Sequence, residues 1–533
     1  MAMRASPPLK AKFLFDEKYE LKATPILVSQ TAPLIGTLGD TIRVDLMDDG
    51  DQEPPPQSCW DKACGSSDSS YFHRVGDTFG WRFVIMLTSV YFGVKGTLIN
   101  LVSLAKLPYY RQAGIGPKQY QQYDVVTKAP WAVKAWFGAM SDLYPWGGYA
   151  KRTYMTAVSV VGAAACALLA VATNVPSIWQ SGSPLVSVPA ITLDFMGVNL
   201  QGAVVDLLAE GRYTAAMAQA PLSGSDLVSW VWACVQGGQF VSAALVGFAA
   251  DSHRIHVLFL GAAILAVQVI PFSEAGWLGD PRVAPQDRGF QWGKLRANPR
   301  VFVLAFLMAL CGVALAVCNL LDAPWQWMLS LSLSASVGLC ALAFWALPLV
   351  LAKCNLYLYL CSVLYVNISG AVDYFYVAGP SCVPDGPHFS FRYYITYSSV
   401  VQAAFGYLGV LLFQACMRKW TFRQVLWTTV VLEVAAGMVD LVIVKRWNTK
   451  VGVPDAFMYM LGYNMVFQVA SMLNFMPSVV LVSKLCPPKL ESTVFAVLAG
   501  FQNFGGMVSG SLGACLIHVL GIRTAAVPLP TAE

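Results

Sequence analysis

Among the ionisable side chains in or beside the long apolar stretches of the sequence, eight stand out. Lys95, Lys134, Asp194 and Glu433 stand near the middle of theirs, and Asp206, Asp373, Arg392 and Asp440 nearer the ends. A charge at the centre of a bilayer costs about 2.5–3.5 kcal/mol on insertion scales, so the four central ones would together cost on the order of 10 kcal/mol if they faced lipid. They are therefore expected to face one another or a wet cavity. Lys95 and Lys134 admit two readings: a structural pairing with an acid such as Asp194, or a cationic contact for an anionic substrate. Glu433 is either a proton carrier, because a carboxyl group that loads and releases a proton during a cycle couples transport to a pH gradient, or a structural hydrogen-bonded acid. Asp440 lies two helical turns after Glu433 on the same face and forms with it either a relay or a polar stripe. Asp373, followed by Tyr374, joins an acid to ring surface, which fits a stacking pocket or interfacial anchoring.

A second group of polar residues marks a connection rather than a span. In the segment 134–152, Gly138 admits close helix contact, and Asp142 can sit at the N-terminus of a neighbouring helix. Lys151 and Arg152 can pin the loop to acids or lipid headgroups. Such a segment latches two states of a gate and carries no information about the cargo.

The elements that must position these residues are helices in a membrane. The chain has 533 residues, 56% of them hydrophobic and 12% charged, with a mean hydropathy of +0.55, which is far from the balance of a soluble domain. A spanning helix needs about 20 mostly apolar residues, because lipid cannot hydrogen-bond a bare backbone. Thirteen stretches meet that need: 81–104, 122–140, 154–173, 185–208, 227–250, 257–272, 301–321, 328–351, 356–376, 393–416, 425–444, 457–482 and 494–520. The sixth, 257–272, is the shortest and sets the parity of the count. Lys151, Arg152, Arg212, the basic group from Arg282 to Arg300, Lys353, Arg418, Lys419, Arg423, Lys484 and Lys489 fall on one side. The segments 174–184 and 377–391 on the other side lack Lys and Arg. This bias puts the N-terminus in the cytosol, although Lys106, Arg111 and Lys118 in one outer loop and Lys445, Arg446 and Lys450 in another weaken the contrast.

Residues 1–80, with Pro54-Pro55-Pro56 and an acidic run at 48–51, read as a disordered cytosolic tail. The domain plan is then a front bundle over 81–274, a cytosolic linker over 275–300, a helix pair over 301–352 and a back bundle over 353–533. Most of the thirteen cysteines lie in spans, where they act as small apolar residues. The five histidines are scattered, and no metal-ligand spacing, phosphate loop or nucleophile elbow is present. An enzyme, a cofactor, a metal centre and a nucleic-acid partner are accordingly not expected. The partners implied are a small-molecule substrate and the lipid bilayer.

The Gly-x-x-Ser-Asp pattern of 138–142 and its basic pair resembles the loop between helices two and three of the major facilitator superfamily. With Pro145 and Gly148-Tyr149 spacing the acid from that pair, it is similar to the folate–biopterin transporter family, above all its kinetoplastid branch. Asp206-Leu-Leu-Ala-Glu210-Gly211-Arg212-Tyr213, Asp373-Tyr374-Phe375-Tyr376, Phe391-Arg392-Tyr393-Tyr394 and the run from Leu485-Cys486-Pro487 through Glu491 to Gly505 resemble the same family. The resemblance implies an all-α two-bundle transporter that takes up folates or unconjugated pteridines such as biopterin by proton-coupled symport, with the plasma membrane as its location. It implies that 301–352 is an inserted pair and that Asp206, Glu210, Arg212 and Glu491 join Gly138, Asp142, Lys151 and Arg152 in gating. Lys95, Lys134 or Arg392 would meet a glutamate-tail carboxylate, Asp373, Tyr374 and other aromatics the pterin ring, and Glu433, Asp194 or Asp440 the proton. Two departures stand out. Ala135 replaces the family's proline after the lysine of helix two, which removes the residue that would kink the helix there. The back bundle also ends one family helix short. A carrier of a related metabolite such as S-adenosylmethionine, or a non-transporting receptor or paralogue, are the alternatives.

Overall fold

The computed structural model describes residues 71–174, 187–220, 224–285, 288–417, 420–475 and 491–523. These residues fold as helices and turns. In chain order they are α1 Tyr71–Phe79, α2 Trp81–Gln112, α3 Pro117–Ala132, α4 Lys134–Leu143, α5 Arg152–Asn174, α6 Val188–Gln219, α7 Gly224–Asp251 and α8 Ile255–Glu274. After the linker come α9 Pro299–Leu320, α10 Trp325–Ala346, α11 Leu349–Leu364, α12 Ser369–Val377, α13 Arg392–Leu412, α14 Phe422–Val444, α15 Asp455–Phe475 and α16 Glu491–Val519. Counting α11 and α12 as one crossing, eleven helices among the described residues are long and apolar enough to span a membrane. Large apolar side chains such as Val160, Leu168, Ile264, Trp327, Val337 and Val434 are exposed on their outer faces, as a chain solvated by hydrocarbon requires.

Several expectations change in detail. The short sixth stretch is a helix of 20 residues, Ile255–Glu274, long enough to cross. Residues 71–79, expected to be disordered, are helical, with Val75 buried and Arg74 facing Asp226 at 3.8 Å. Lys106 and Arg111 do not lie in a loop: both belong to α2, and Lys106 is buried. The tail 1–70, Arg418, Lys419, Lys484, Lys489, the 485–487 motif and the end of the chain from 524 fall outside the described residues.

Two expected spans, 122–140 and 494–520, are helical but more polar than the other eleven. The first is broken. α3 ends at Ala132, Val133 leaves the helical region, and α4 restarts at Lys134. The proline that disturbs this helix is Pro130, inside the last turn of α3, where it removes a backbone donor. The polar positions of α3 and α16 make bonds between helices. Asn503 Nδ2 donates to the Trp131 carbonyl at 3.1 Å, Ser509 Oγ to the Tyr365 carbonyl at 2.5 Å, and Asn319 Nδ2 of α9 to Ser511 Oγ at 2.9 Å.

Helices in lipid associate through close packing rather than a hydrophobic drive, so glycine contacts fix the architecture. A Cβ on Gly96 of α2 would lie 2.7 Å from the Val235 carbonyl oxygen of α7, and one on Gly238 would lie 2.5 Å from the Phe92 oxygen. Those two helices cross backbone to backbone. α5, α6 and α8 pack with them into the front half, α13 to α15 pack together in the back half, and α16 joins the halves by lying along α3 and α11. The α9–α10 hairpin rests against α3, α4, α11 and α16.

Candidate functional site

Most of the charges singled out in the sequence meet at two places. In the front half, α2 is π-helical over Ser89–Leu98, a local widening that often accompanies function, and it carries Lys95. The Lys95 ammonium donates to Asp206 Oδ1 of α6 at 2.9 Å. Lys134, the first residue of α4, donates to Asp206 Oδ2 at 2.7 Å and to Glu210 Oε2 at 3.0 Å. The expected partner Asp194 is not the acid: it stands near Tyr109 and Cys166 and pairs with no described lysine. Asp206, read as a residue near a span end, is the hub, with its side chain 2% exposed. Lys95 also faces the rings of Tyr91 and Trp232 at 5.7 and 5.6 Å, and Lys134 that of Trp131 at 5.8 Å. Two carboxylates neutralise two ammonium groups, so this network has little charge left for an anionic ligand.

The second place lies between the halves. The crossing made by α11 and α12 is interrupted at 365–368, and the freed backbone groups are taken up by side chains. Gln121 Nε2 of α3 donates to the Asn367 carbonyl at 3.0 Å, its Oε1 accepts from the Gly370 amide at 2.7 Å, and Ser509 Oγ accepts from the Asn367 amide at 2.9 Å. Gly513 makes room for that loop, since a Cβ there would lie 1.8 Å from the Asn367 oxygen. Discontinuous helices of this kind line central sites in transporters. Asp373, one turn into α12, accepts from the Tyr394 hydroxyl of α13 at 2.7 Å and the Tyr120 hydroxyl of α3 at 3.3 Å. Tyr394, Tyr459, Tyr463 and Phe467 form a stacked column with interplanar angles of 22°, 10° and 8°. α15 is π-helical over Met460–Phe467, and Tyr463 and Tyr365 are exposed. Asp440 accepts from the Tyr376 hydroxyl at 2.6 Å, and Tyr376 packs on Tyr459 and Phe389. Glu433 faces Asn474 of α15 at 3.5 Å. A flat heterocycle could stack on this column with its donors aimed at a carboxylate.

A family model described as BT1 family matches residues 95–527. The chain belongs to the BT1 family. Among curated relatives of this BT1-family chain, "Probable folate-biopterin transporter 2" of Arabidopsis thaliana is 24% identical over 451 residues, 83% of this chain and 77% of that protein. A folate-biopterin transporter of Synechocystis sp. is 23% identical over 84% of this chain and 77% of its own length. A solved POT family transporter in complex with 5-aminolevulinic acid matches with a TM-score of 0.58 at 13% identity, covering 82% of this chain and 91% of that one. The fold is thus that of a polytopic transporter of the major facilitator type, and the BT1-family chain is an integral membrane transport protein rather than an enzyme.

The remaining candidates of the BT1-family chain fall at its two ends. At the linker end, Gly138, Asp142 and Lys151 line one small closed pocket with Ser141, Leu207 and Leu208. A Cβ on Gly138 would meet Leu207 at 3.4 Å, an ordinary contact, so the tight crossings lie elsewhere, at Gly96 and Gly513. The backbone amides of Lys151 and Arg152 donate to Asp280 at 2.8 and 3.0 Å, and Arg152 also binds Glu274 and lies 4.8 Å over the Tyr149 ring. Burial pushes the Lys151 ammonium below the usual lysine range, against the pull of Asp142 and Asp280. Arg212 donates to the carbonyls of Leu278 and Gly279. The basic loop is therefore latched to the linker. Glu491 begins α16, and its side chain lies outside the described residues.

At the opposite end the halves are joined. Asp251, closing α7, accepts from the amides of Phe391 and Arg392 at 3.1 and 3.0 Å, and the Arg392 guanidinium lies 4.5 Å over the Phe248 ring. Tyr374 donates to the Ile115 carbonyl at 2.5 Å. Arg392 and Tyr374 thus belong to this closure rather than to the aromatic column. The sequence reading missed Asp251, Gln121, Tyr459 and Tyr463, which carry no charge in mid-span or sit where a residue type alone is uninformative. A surface cavity of about 450 Å³ at Trp420, Thr421, Arg423, Gln424, Trp427 and Thr428 shares no residue with either cluster.

Proposed function

We propose that this protein carries folates or unconjugated pteridines such as biopterin across a membrane, coupled to protons, by alternating access between its halves. The observation that carries this reading is the stacked column Tyr394–Tyr459–Tyr463–Phe467 beside Asp373, at the interruption of a membrane crossing. A pterin is flat enough to stack on such rings, with about 0.5–1.5 kcal/mol per ring pair beyond area burial, and its amino-pyrimidinone edge donates two hydrogens in the geometry a carboxylate accepts. The names of the relatives agree with that chemistry. Asp440 and Glu433, each held by a neutral donor, are the proton-loading groups in this reading, while Lys95, Asp206, Lys134 and Glu210 lock the front half. The latch of Lys151, Arg152 and Arg212 on the linker and the Asp251 closure act as the alternating gates. The N-terminus is cytosolic and the plasma membrane is the site of action.

The test is competition in cells expressing the chain. Unlabelled biopterin suppresses uptake of labelled folic acid, and S-adenosylmethionine at the same concentration does not. Suppression by S-adenosylmethionine alone, with biopterin inert, would reassign the cargo.

A further inference from the structure

The lysines first read as anion contacts are neutralised, yet another cation faces the space between the halves. α3 packs against α6, α9, α12 and α16, and from Gln121 to Pro130 every residue is buried except Lys128. A helix covered on all sides can expose one mid-helix residue only to an internal void. The Lys128 side chain is 50% exposed. Its ammonium touches Asp124 Oδ2 at 2.6 Å, one turn back. The other oxygen of Asp124 is taken by the fully enclosed Lys106, which also donates to Thr127 Oγ1 at 3.2 Å. One carboxylate therefore serves two ammonium groups, and of the three donors on Lys128 Asp124 accepts one. Asp373 is within electrostatic reach of this group but gives its oxygens to two tyrosine hydroxyls. Lys106, Asp124 and Lys128 together thus carry one net positive charge.

We infer that Lys128, held in place by Asp124 and Lys106, is the subsite for a carboxylate on the cargo, across the void from Asp373 and the aromatic column. This rests on the carrier reading and adds which end of the cargo meets which wall. The flat ring lies on the back half and the anionic tail on α3 of the front half, so a bound folate would bridge both halves. A pteridine without a carboxylate would leave Lys128 unused.

The experiment compares KM for folic acid and for biopterin in proteoliposomes of the wild type, Lys128→Gln and Lys128→Arg. For Lys128→Gln the ratio of the folic acid KM to the biopterin KM rises about tenfold or more, and Lys128→Arg restores most of it. Equal shifts for both substrates, or none for folic acid, overturn the assignment. A second measurement does not depend on transport: p-aminobenzoylglutamate, which has the carboxylates and lacks the pterin ring, is added to purified protein and the melting temperature is read. The wild type is stabilised and Lys128→Gln is not, although it melts as a folded protein in the absence of ligand. If the wild type accumulates neither substrate, the carrier reading fails while this readout still decides the subsite. Absence of stabilisation in the wild type overturns it.

Discussion

Asp206 accepts from two ammonium groups in a place where lipid offers no substitute, so its removal leaves Lys95 without an acid and Lys134 with Glu210 alone. Breaking a buried pair from one side costs about 3–5 kcal/mol. Asp206→Ala should therefore lower stability by that amount in a detergent-solubilised melt and abolish uptake, whereas Asp194→Asn, which breaks no ion pair, should cost about 1 kcal/mol or less. Equal effects of the two would show that the network does not hold the front half. Lys95, Lys134, Asp373 and Glu433 were legible in the sequence because a charge within an apolar run is conspicuous. Their partners were not. Lys95 and Asp206 are 111 residues apart, and nothing local in either segment records that distance. Asp124 and Lys128 were overlooked because α3 is polar enough to dilute the signal of any one charge, although they stand at the spacing of an ion pair on one helix face, and Lys106 was placed in a loop rather than in α2.

Elements succeed or fail at close contacts. Gly513→Ala would drive a methyl into the Asn367 carbonyl, and the adjustment should cost about 1–3 kcal/mol together with most transport, while Gly138→Ala meets Leu207 at an ordinary distance and should be tolerated. Thermal melting and uptake of the two variants separate a packed interruption from a loose one. Asp322, in the turn between α9 and α10, accepts from Lys118 at 2.6 Å and Gln122 at 2.9 Å. Partial burial pushes its carboxyl up, but the Lys118 and Gln122 donors outweigh it and hold the group below the usual range. A depressed folded pKa means that the tether's contribution is present above the unfolded value near 4 and is lost as pH falls through the folded value. Because both groups are partly exposed, that contribution is under about 1 kcal/mol. Asp322→Asn should thus lower the melting temperature slightly at pH 7 and match the wild type on strong acidification. Among the described residues the spanning helices were readable from apolar run lengths, whereas the short α1 was not. The breaks at Val133 and at 365–368 were not, since Pro130 acts before the point where a kink was sought and no proline marks the second break.

At the scale of the molecule, two helical halves meet beside rings, carboxylates and the Lys128 ammonium, and they are fastened at the end where Asp251 holds the start of α13. A carrier must release that fastening in its other state. Asp251→Ala removes acceptors for two amides, so it should shift the resting population away from closure and slow uptake severalfold without loss of the protein from the membrane, as read by initial rates and surface labelling. The transporter class was legible from composition and motif order together, because both follow from what lipid permits. The route through the protein was not, because it depends on which faces of different helices meet. The most direct measurement is accumulation of labelled biopterin and folic acid in proteoliposomes under an imposed proton gradient. The internal concentration should exceed the external one and collapse when a protonophore is added. Label that is retained equally with and without the gradient, and that stays with the protein after the vesicles are lysed, would mean binding without transport and contradict the account.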